Sequence, residues 1–306
     1  MEQNNYDLAI IGGGAAGFTA AVYACRNNKK VVVFEGHAIG GQISESPLVE
    51  NYPSIMEISG QDFSDNIMNQ AIHNGAVVEF ENIASLEHNG EHAVLTTELG
   101  NVFQSKAVIL AVGCEPRRIG FENEKHWIGK GLGYCAVCDG NFYKNKDVAV
   151  IGGGDTALQE AIYLSNICKS VTLVHRREEF RASEVLVQRA KSRANIKYAL
   201  NAVALRPVGE EKIQGVVLKS TVDGSESELA VEAVFVAIGR IPQTKLFAKY
   251  LNLDEQGFIL AGEDCKTQHK WLFVAGDCRQ KSLRQLTTAV SDGSVAGIAA
   301  SEFIEE

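Results

Sequence analysis

The stretch Tyr6-Asp7-Leu8-Ala9-Ile10-Ile11-Gly12-Gly13-Gly14-Ala15-Ala16-Gly17 sets a short apolar run directly against a glycine-rich turn and the start of a helical pattern. A run apolar on both faces reads as a parallel strand buried between layers. Gly12, Gly14 and Gly17 form G-x-G-x-x-G, with Gly13, Ala15 and Ala16 completing the loop. In such a turn the first glycine allows the sharp bend and the second lets the backbone approach a pyrophosphate. The third brings helix and strand close, and the helix N-terminus faces the phosphates. The motif alone also fits an ordinary βα turn. Its context here includes a second apolar run, Lys30–Phe34, ending at Glu35, an acid placed to accept hydrogen bonds from a ribose diol.

The stretch returns as Lys146-Asp147-Val148-Ala149-Val150-Ile151-Gly152-Gly153-Gly154-Asp155-Thr156-Ala157, an offset of 140 residues from Gly12 to Gly152. The repeat runs on through helical patterns at Phe18–Asn27 and Leu158–Cys168 and apolar runs at Lys30–Phe34 and Ser170–Val174, and it aligns Glu35 with His175. Ala107–Gly113 likewise resembles Ala233–Gly239, each with a proline three residues on, at Pro116 and Pro242. Between these lie alternating runs with the hairpin turns Asn89-Gly90 and Asp223-Gly224. The fold expected is α/β: two Rossmann-like, three-layer nucleotide-binding domains, each with a three-stranded meander laid over its parallel sheet. One more strand, Trp271–Ala275, and a terminal helix from about Arg284 complete the chain. The simplest topology inserts the second domain in the first, giving 1–114 plus 243–306 and 115–242. The two connections, near Gly113–Pro116 and Gly239–Pro242, are expected to act as a hinge.

The second loop, Gly152-x-Gly154-x-x-Ala157 with Asp155 and Thr156, selects a different nucleotide. Where Glu35 stands in the first half, His175 is followed by Arg176, Arg177 and, a turn later, Arg181. A carboxylate there would repel a 2′-phosphate, whereas guanidinium groups bind it. This predicts NADPH rather than NADH, against the blander reading of a solvated basic segment. A third feature, Ala275-Gly276-Asp277 at the end of the late strand with Arg284 and Gln285 beyond, suits a ribityl or pyrophosphate contact.

Composition narrows the function classes. The chain has 306 residues, 29 Lys and Arg against 38 Asp and Glu, and a net charge of −9. A phosphate-neutralising basic face is not expected, so nucleic acid is an unlikely partner. No apolar run approaches the ~18 residues of a membrane span, and no signal peptide precedes the first apolar run. Seven Cys, an odd number with one close pair, fit a cytoplasmic protein better than a disulfide-stapled secreted one.

That close pair is Cys135-Ala136-Val137-Cys138-Asp139-Gly140, just before the second repeat. Structural zinc needs four ligands, and the remaining Cys and His show no such spacing, so no metal is expected. A redox pair is the better reading, with Asp139 as proton donor or acceptor. The other Cys are expected to be inert and buried.

Tyr134 through Gly140, the Gly152–Ala157 loop, His175-Arg176-Arg177 with Arg181, Gly40-Gly41-Gln42, Val49–Pro53 and Ala275-Gly276-Asp277 with Arg284-Gln285 together resemble the low-molecular-weight thioredoxin reductases. Val112, Val137, Leu286-Thr287 and Ser291-Asp292-Gly293 depart from the usual residues. The resemblance implies FAD in the first site, lined by Gly13–Ala16, Glu35 through Gln42, Asn51, Asp277 and Arg284–Leu286, with the backbone near Ile83 at the adenine. It implies NADPH in the second, lined by Thr156, His175, Arg181 and Ile238. It further implies a homodimer, thioredoxin or a similar protein as substrate, Cys138 facing the flavin and Cys135 attacking the partner. Rival readings are a related reductase or dithiol oxidase acting on another disulfide, a ferredoxin-linked reductase, and a non-catalytic redox-sensing flavoprotein.

Overall fold

In the computed structural model, which describes residues 4–306, both expected βαβ units are present. The chain divides into two compact units, one formed by its residues up to Glu115 together with Ile241–Glu306, the other by Pro116–Arg240.

Along the chain come β1 (Asn5–Ile11), α1 (Ala15–Arg26), β2 (Val31–Phe34), α2 (Gly60–His73), β3 (Val77–Glu79), β4 (Ile83–His88), β5 (Ala93–Thr97) and β6 (Val102–Leu110). After β7 (Cys114–Pro116) the second unit holds α3 (Glu124–Trp127), β8 (Leu132–Gly133), α4 (Ala136–Asp139), β9 (Asp147–Ile151), α5 (Asp155–Ser165), β10 (Ser170–His175), α6 (Glu184–Lys191), β11 (Ile196–Leu200), β12 (Ala202–Val208), β13 (Gly215–Ser220), β14 (Glu226–Ala230) and β15 (Ala233–Val236). β16 (Arg240–Pro242) pairs with β7, and β17 (Leu272–Val274) and α7 (Leu286–Glu305) return to the first unit.

The repeat in sequence is a repeat in topology. In the first unit β1 lies between β2 and β6, in register Ile11–Phe34 and Ile11–Leu110. In the second, β9 lies between β10 and β15, pairing Ile151 with Val174 and Val236. All of these pairs are parallel. Alternate residues of the buried strands feed opposite faces. Leu8, Ile10, Val31 and Val33 pack under α1, α2 and α7, while Ala9, Ile11, Val32 and Phe34 pack on the meander side. The second unit divides in the same way around Val148 and Val150 on one face and Ala149 and Ile151 on the other.

Two features differ from the expectation. In the first unit the meander is not a separate layer. Strand β6 is long enough that Val102–Ser105 carries β5, and Val108–Leu110 carries β17, on the edge opposite β1. Only the second unit has a detached sheet, β12-β13-β14. Also, β8 borders β15 where β17 borders β6, so two short parallel strands from unrelated parts of the chain hold equivalent positions. The segments leaving their C-terminal ends are Tyr134-Cys135 and Ala275-Gly276-Asp277. The Cys pair thus sits at the carboxyl edge of a parallel sheet, where open α/β sheets place their ligands.

Helices α1 and α7 pack through small residues. A side chain at Gly293 would meet Ala16, and one at Gly297 would meet Ala20. Helix α2 starts at Ser59, whose hydroxyl accepts the Asp62 N–H at 3.0 Å, and buries Phe63, Ile67 and Ala71.

Candidate active site

In the first unit the glycine loop is fixed from several sides. Gly12 has φ +108°, and a Cβ there would run into the Ala111 carbonyl, so both conformation and space require glycine. Glu35 stands at the end of β2 and its carboxylate accepts three backbone N–H groups, from Gly13 at 2.8 Å, His37 at 2.8 Å and Ala38 at 3.1 Å. Gly40 donates to the Gly13 carbonyl at 2.8 Å, and Gln42 donates its side-chain amide to the Cys114 carbonyl. Beside this framework opens a cavity of about 340 Å³ lined by Glu35 to Ile39, Ser44, Gln61 and Phe80. Of these, Ser44, Gln61 and Phe80 were not singled out in the sequence. The Ile83 side chain is buried in the meander-side core, and Phe80 faces the cavity.

The late turn joins the same loop. Gly276 packs on Ala16, and its N–H donates to the Asp292 carboxylate at 2.9 Å. Asp292 is held by two cations, the buried Arg279 and the half-buried Lys281. Arg279 donates to both of its oxygens at 2.9 Å, and Lys281 donates at 2.7 Å. Burial alone would push the Asp292 carboxyl up, but the Arg279 and Lys281 hydrogen bonds and charges outweigh it and hold the group below the usual carboxylate range. Arg284 lies over the Phe258 ring and donates to the carbonyls of Asp277 at 3.1 Å and Arg279 at 2.9 Å. Asn51 donates to Gln285 at 3.2 Å, while Gln285 caps α7 with Thr288 and Leu286 packs on the core. Gly12–Ala16, Glu35, Gly40–Gln42, Asn51, Gly276-Asp277 and Arg284–Leu286 are therefore drawn together within one unit.

The second unit repeats the turn. Gly152 has φ +156°, and a Cβ there would meet the Ala237 carbonyl. Arg181 donates its N–H to the Gly153 carbonyl at 2.8 Å, and Ser183 donates to the Asp155 carboxylate at 2.7 Å, so the basic segment is tied to the loop. His175 differs from the expectation of a ligand-facing base. It is 5% exposed, its ring packs beneath Gly153 and stacks on Phe180, and Nε2 lies 3.1 Å from the Glu179 carbonyl. Burial lowers its pKa, and Arg181, Arg176 and Arg177 lower it further. A neutral ring here braces the middle glycine, as Glu35 does in the first unit, and the three arginines are left exposed at the surface beside the loop. Ile238 is half-buried against the meander-side core.

Cys135 and Cys138 form a disulfide, with Cα atoms 5.3 Å apart. Cys135 occupies the N-cap of α4, and its Sγ accepts the Cys138 N–H at 3.2 Å. That donor would stabilise a Cys135 thiolate. Cys138 is exposed and Cys135 half-buried. Burial raises the Asp139 carboxyl to about 6. Glu160, on α5 and absent from the sequence-based candidates, accepts the Ala136 N–H. Its carboxyl is raised to about 7 by burial first, with Arg240 opposing and Asp139 adding to the rise. The remaining five cysteines are buried, and burial pushes the thiols of Cys25 and Cys168 up to about 11 and those of Cys265 and Cys278 up to about 12. Among the described residues no group of three or more His, Cys, Asp or Glu side chains is placed to hold a metal ion.

A profile of the pyridine nucleotide-disulphide oxidoreductases matches residues 6–293. The chain is 44% identical over 296 residues to a thioredoxin reductase of Mycoplasma genitalium, covering 96% of this chain and 94% of that protein. It is 39% identical over 306 residues to a thioredoxin reductase of Listeria monocytogenes, covering 100% and 96%. Among solved structures, the thioredoxin reductase from Streptococcus pyogenes superposes with a TM-score of 0.94 at 34% identity, covering 99% of both chains.

Proposed function

The chain belongs to the pyridine nucleotide-disulphide oxidoreductase family, and from that premise we propose that it is an NADPH-dependent flavoprotein that reduces thioredoxin through the Cys135–Cys138 pair. The observation that carries this reading is the disulfide itself. It sits at the carboxyl edge of a parallel sheet, in the same unit as a nucleotide loop, and is followed by a carboxyl group whose affinity for protons is raised.

The residues fit both nucleotides. FAD belongs to the unit containing Glu35, whose cavity and backbone turns leave room for an adenosine and a pyrophosphate. Gly12–Ala16, Gly40–Gln42, Asn51, Gly276-Asp277 and Arg284–Leu286 would hold it. NADPH belongs to the unit of residues 116–240, where Gly152–Thr156 would cradle its phosphates and Arg176, Arg177 and Arg181 would hold the 2′-phosphate. When bound, NADPH supplies a hydride whose electron pair reaches the disulfide by way of FAD. The chain's own residues do the rest. The Cys138 N–H favours the thiolate at Cys135, so Cys135 is the sulfur that attacks the partner disulfide, and Cys138 closes back onto it. Asp139, half-protonated near pH 6, holds the proton exchanged with the thiolates.

The active form is a homodimer in this reading. Tyr23 on α1 and Val295 and Ile298 on α7 leave apolar area exposed on the two helices that pack together. A cytoplasmic location accords with five buried free thiols beside one catalytic pair. The test is an absorbance titration of purified protein with NADPH and then with a panel of thioredoxins, repeated for Cys135→Ser and Cys138→Ser. Both variants should bleach with NADPH yet reduce no thioredoxin. A folded, flavin-loaded wild-type protein that NADPH does not bleach would refute the assignment.

A further inference from the structure

Glu160 joins two parts of the second unit that are read separately in the sequence. It lies on α5 three residues after Ala157 and four before Leu164, both buried, on the stripe of the nucleotide-loop helix that faces inward. Its carboxyl accepts the N–H of Ala136, a fully buried residue between the two cysteines. The other oxygen, Oε2, is buried and accepts no hydrogen bond among the described residues. The charged and titratable groups around it are few. Asp139 faces it from α4, Arg240 from the final strand of the unit, and Tyr143 lies beyond Asp139.

We propose that Glu160 is a positioning residue of the redox turn, fixing Ala136 between the cysteines and forming with Asp139 a carboxyl pair that takes up and returns one proton as the disulfide cycles. The proposal rests on the thioredoxin reductase reading above. Two half-buried carboxyls near one another resist ionising together, and the Asp139 charge adds to the rise that burial imposes on Glu160. Burial raises Asp139 to about 6 and Glu160 to about 7, which places that proton in the neutral range.

The cycle balances. Two electrons from NADPH enter the Sγ–Sγ bond and break it, yielding two thiolates. The carboxyl pair protonates Cys138 and stays ionised while the two sulfurs are reduced. The Cys135 thiolate then attacks the partner's disulfide and releases one partner thiolate. Cys138 gives its proton back to the pair and closes onto Cys135, releasing the second. The two partner thiolates take up the proton left from the hydride and one from water, so one NADPH and one proton are consumed per partner dithiol formed.

The test follows the pH dependence of iodoacetamide alkylation at Cys135 and Cys138 in the reduced, FAD-loaded full chain. Glu160→Gln keeps an acceptor for Ala136 but carries no proton. The wild-type profile should show a second inflection near neutral pH, and Glu160→Gln should lose it. Thiolate at pH 7 should then rise about tenfold for each unit by which the thiol pKa falls. Turnover with thioredoxin should fall at least about threefold above pH 7 at unchanged KM for NADPH. A Glu160→Gln profile superimposable on the wild type would overturn the proposal. A second measurement needs no variant. On reduction, the infrared difference spectrum of wild-type protein should contain a carboxylic-acid-to-carboxylate change, and its absence would equally overturn the proposal. NADPH oxidation by wild-type protein with ferricyanide, an acceptor that bypasses the disulfide, separates the two levels. If it fails, the functional reading falls and this proposal with it; if it succeeds while Glu160→Gln behaves as wild type, only the role of Glu160 falls.

Discussion

Asp292→Ala should be among the most damaging single substitutions in the first unit, although Asp292 belongs to no nucleotide motif. Arg279 is 2% exposed and Asp292 6%, and the carboxylate accepts four hydrogen bonds, two from Arg279 and one each from Lys281 and the Gly276 N–H. Removing it strands a buried guanidinium, and breaking a buried pair from one side costs about 3–5 kcal/mol. With a urea m-value of ~3 kcal/mol/M, the unfolding midpoint should drop by about 1–2 M. Trp271 is buried in the first unit and Trp127 belongs to the second, so Trp127→Phe leaves one fluorescent reporter of the unit concerned. FAD retention on gel filtration should fall in parallel, because Gly276 loses the acceptor that sets its turn. The pH dependence has a definite sign. The folded carboxyl is held below its unfolded value, so its contribution is fully present above about pH 4 and is lost as pH falls through the folded value. The gap between wild type and Asp292→Ala should therefore close in acid. Arg279→Met combined with Asp292→Leu removes both charges, and Lys281, near the surface, can turn toward water. That double variant should be more stable than Asp292→Ala alone. A single-variant cost below about 1 kcal/mol, or a double variant no better than the single, would refute the view that an uncompensated charge drives the loss.

Arg176→Ala with Arg181→Ala should raise the NADPH KM by at least ~100-fold, since each charge-assisted hydrogen bond contributes ~1.5–3 kcal/mol, and should leave NADH kinetics almost unchanged. Equal losses for the two nucleotides would count against the 2′-phosphate assignment. Asp139→Asn should remove a pH-dependent penalty on folding. The acid is raised from 3.8 to about 6 in the folded chain, so the wild type should lose about 3 kcal/mol more stability than the variant as pH rises through that range. Urea unfolding at pH 4.5 and 7.5 checks this, and parallel curves for the two proteins would contradict it. Gly17→Ala should abolish FAD loading, because a Cβ there would strike the Gly12 carbonyl. Ala157→Gly, at the same place in the second loop, should cost only about 1 kcal/mol in thermal unfolding and keep NADPH binding.

Much of this architecture is legible in the sequence for a physical reason. A parallel strand buried on both faces must be apolar throughout, and the turn after it must be glycine, so Leu8–Gly14 and Val148–Gly154 carry fold and candidate site in a few residues. What was illegible depends on partners distant in sequence. Strand β8 has two residues and no local signature, yet its pairing with β15 puts Cys135 at the carboxyl edge of the sheet. His175 ends a buried strand, and that position turns its ring under Gly153, although the basic run after it suggested an exposed base. Glu160 was not among the candidates and Asp292 stood out only as a departure from the usual residues, and each lies in a helical stripe of small and apolar residues. The stripe itself carries the signal. Glu160 shares its face with Ala157, Ala161 and Leu164, and Asp292 with Ala296 and Ala299, all of them buried. An acid in such a row must meet a donor from another element or shed its charge, because an unpaired buried carboxylate is too costly to keep. Asp292 meets Arg279 and Lys281 and stays ionised. Glu160 meets one backbone N–H, with Arg240 and a second carboxyl around it, and burial outweighs the cation so that it holds a proton near neutral pH. The same sequence pattern thus yields a structural ion cluster in one unit and a proton-holding group in the other, and what separates them is whether the fold brings a cation into direct hydrogen-bond contact.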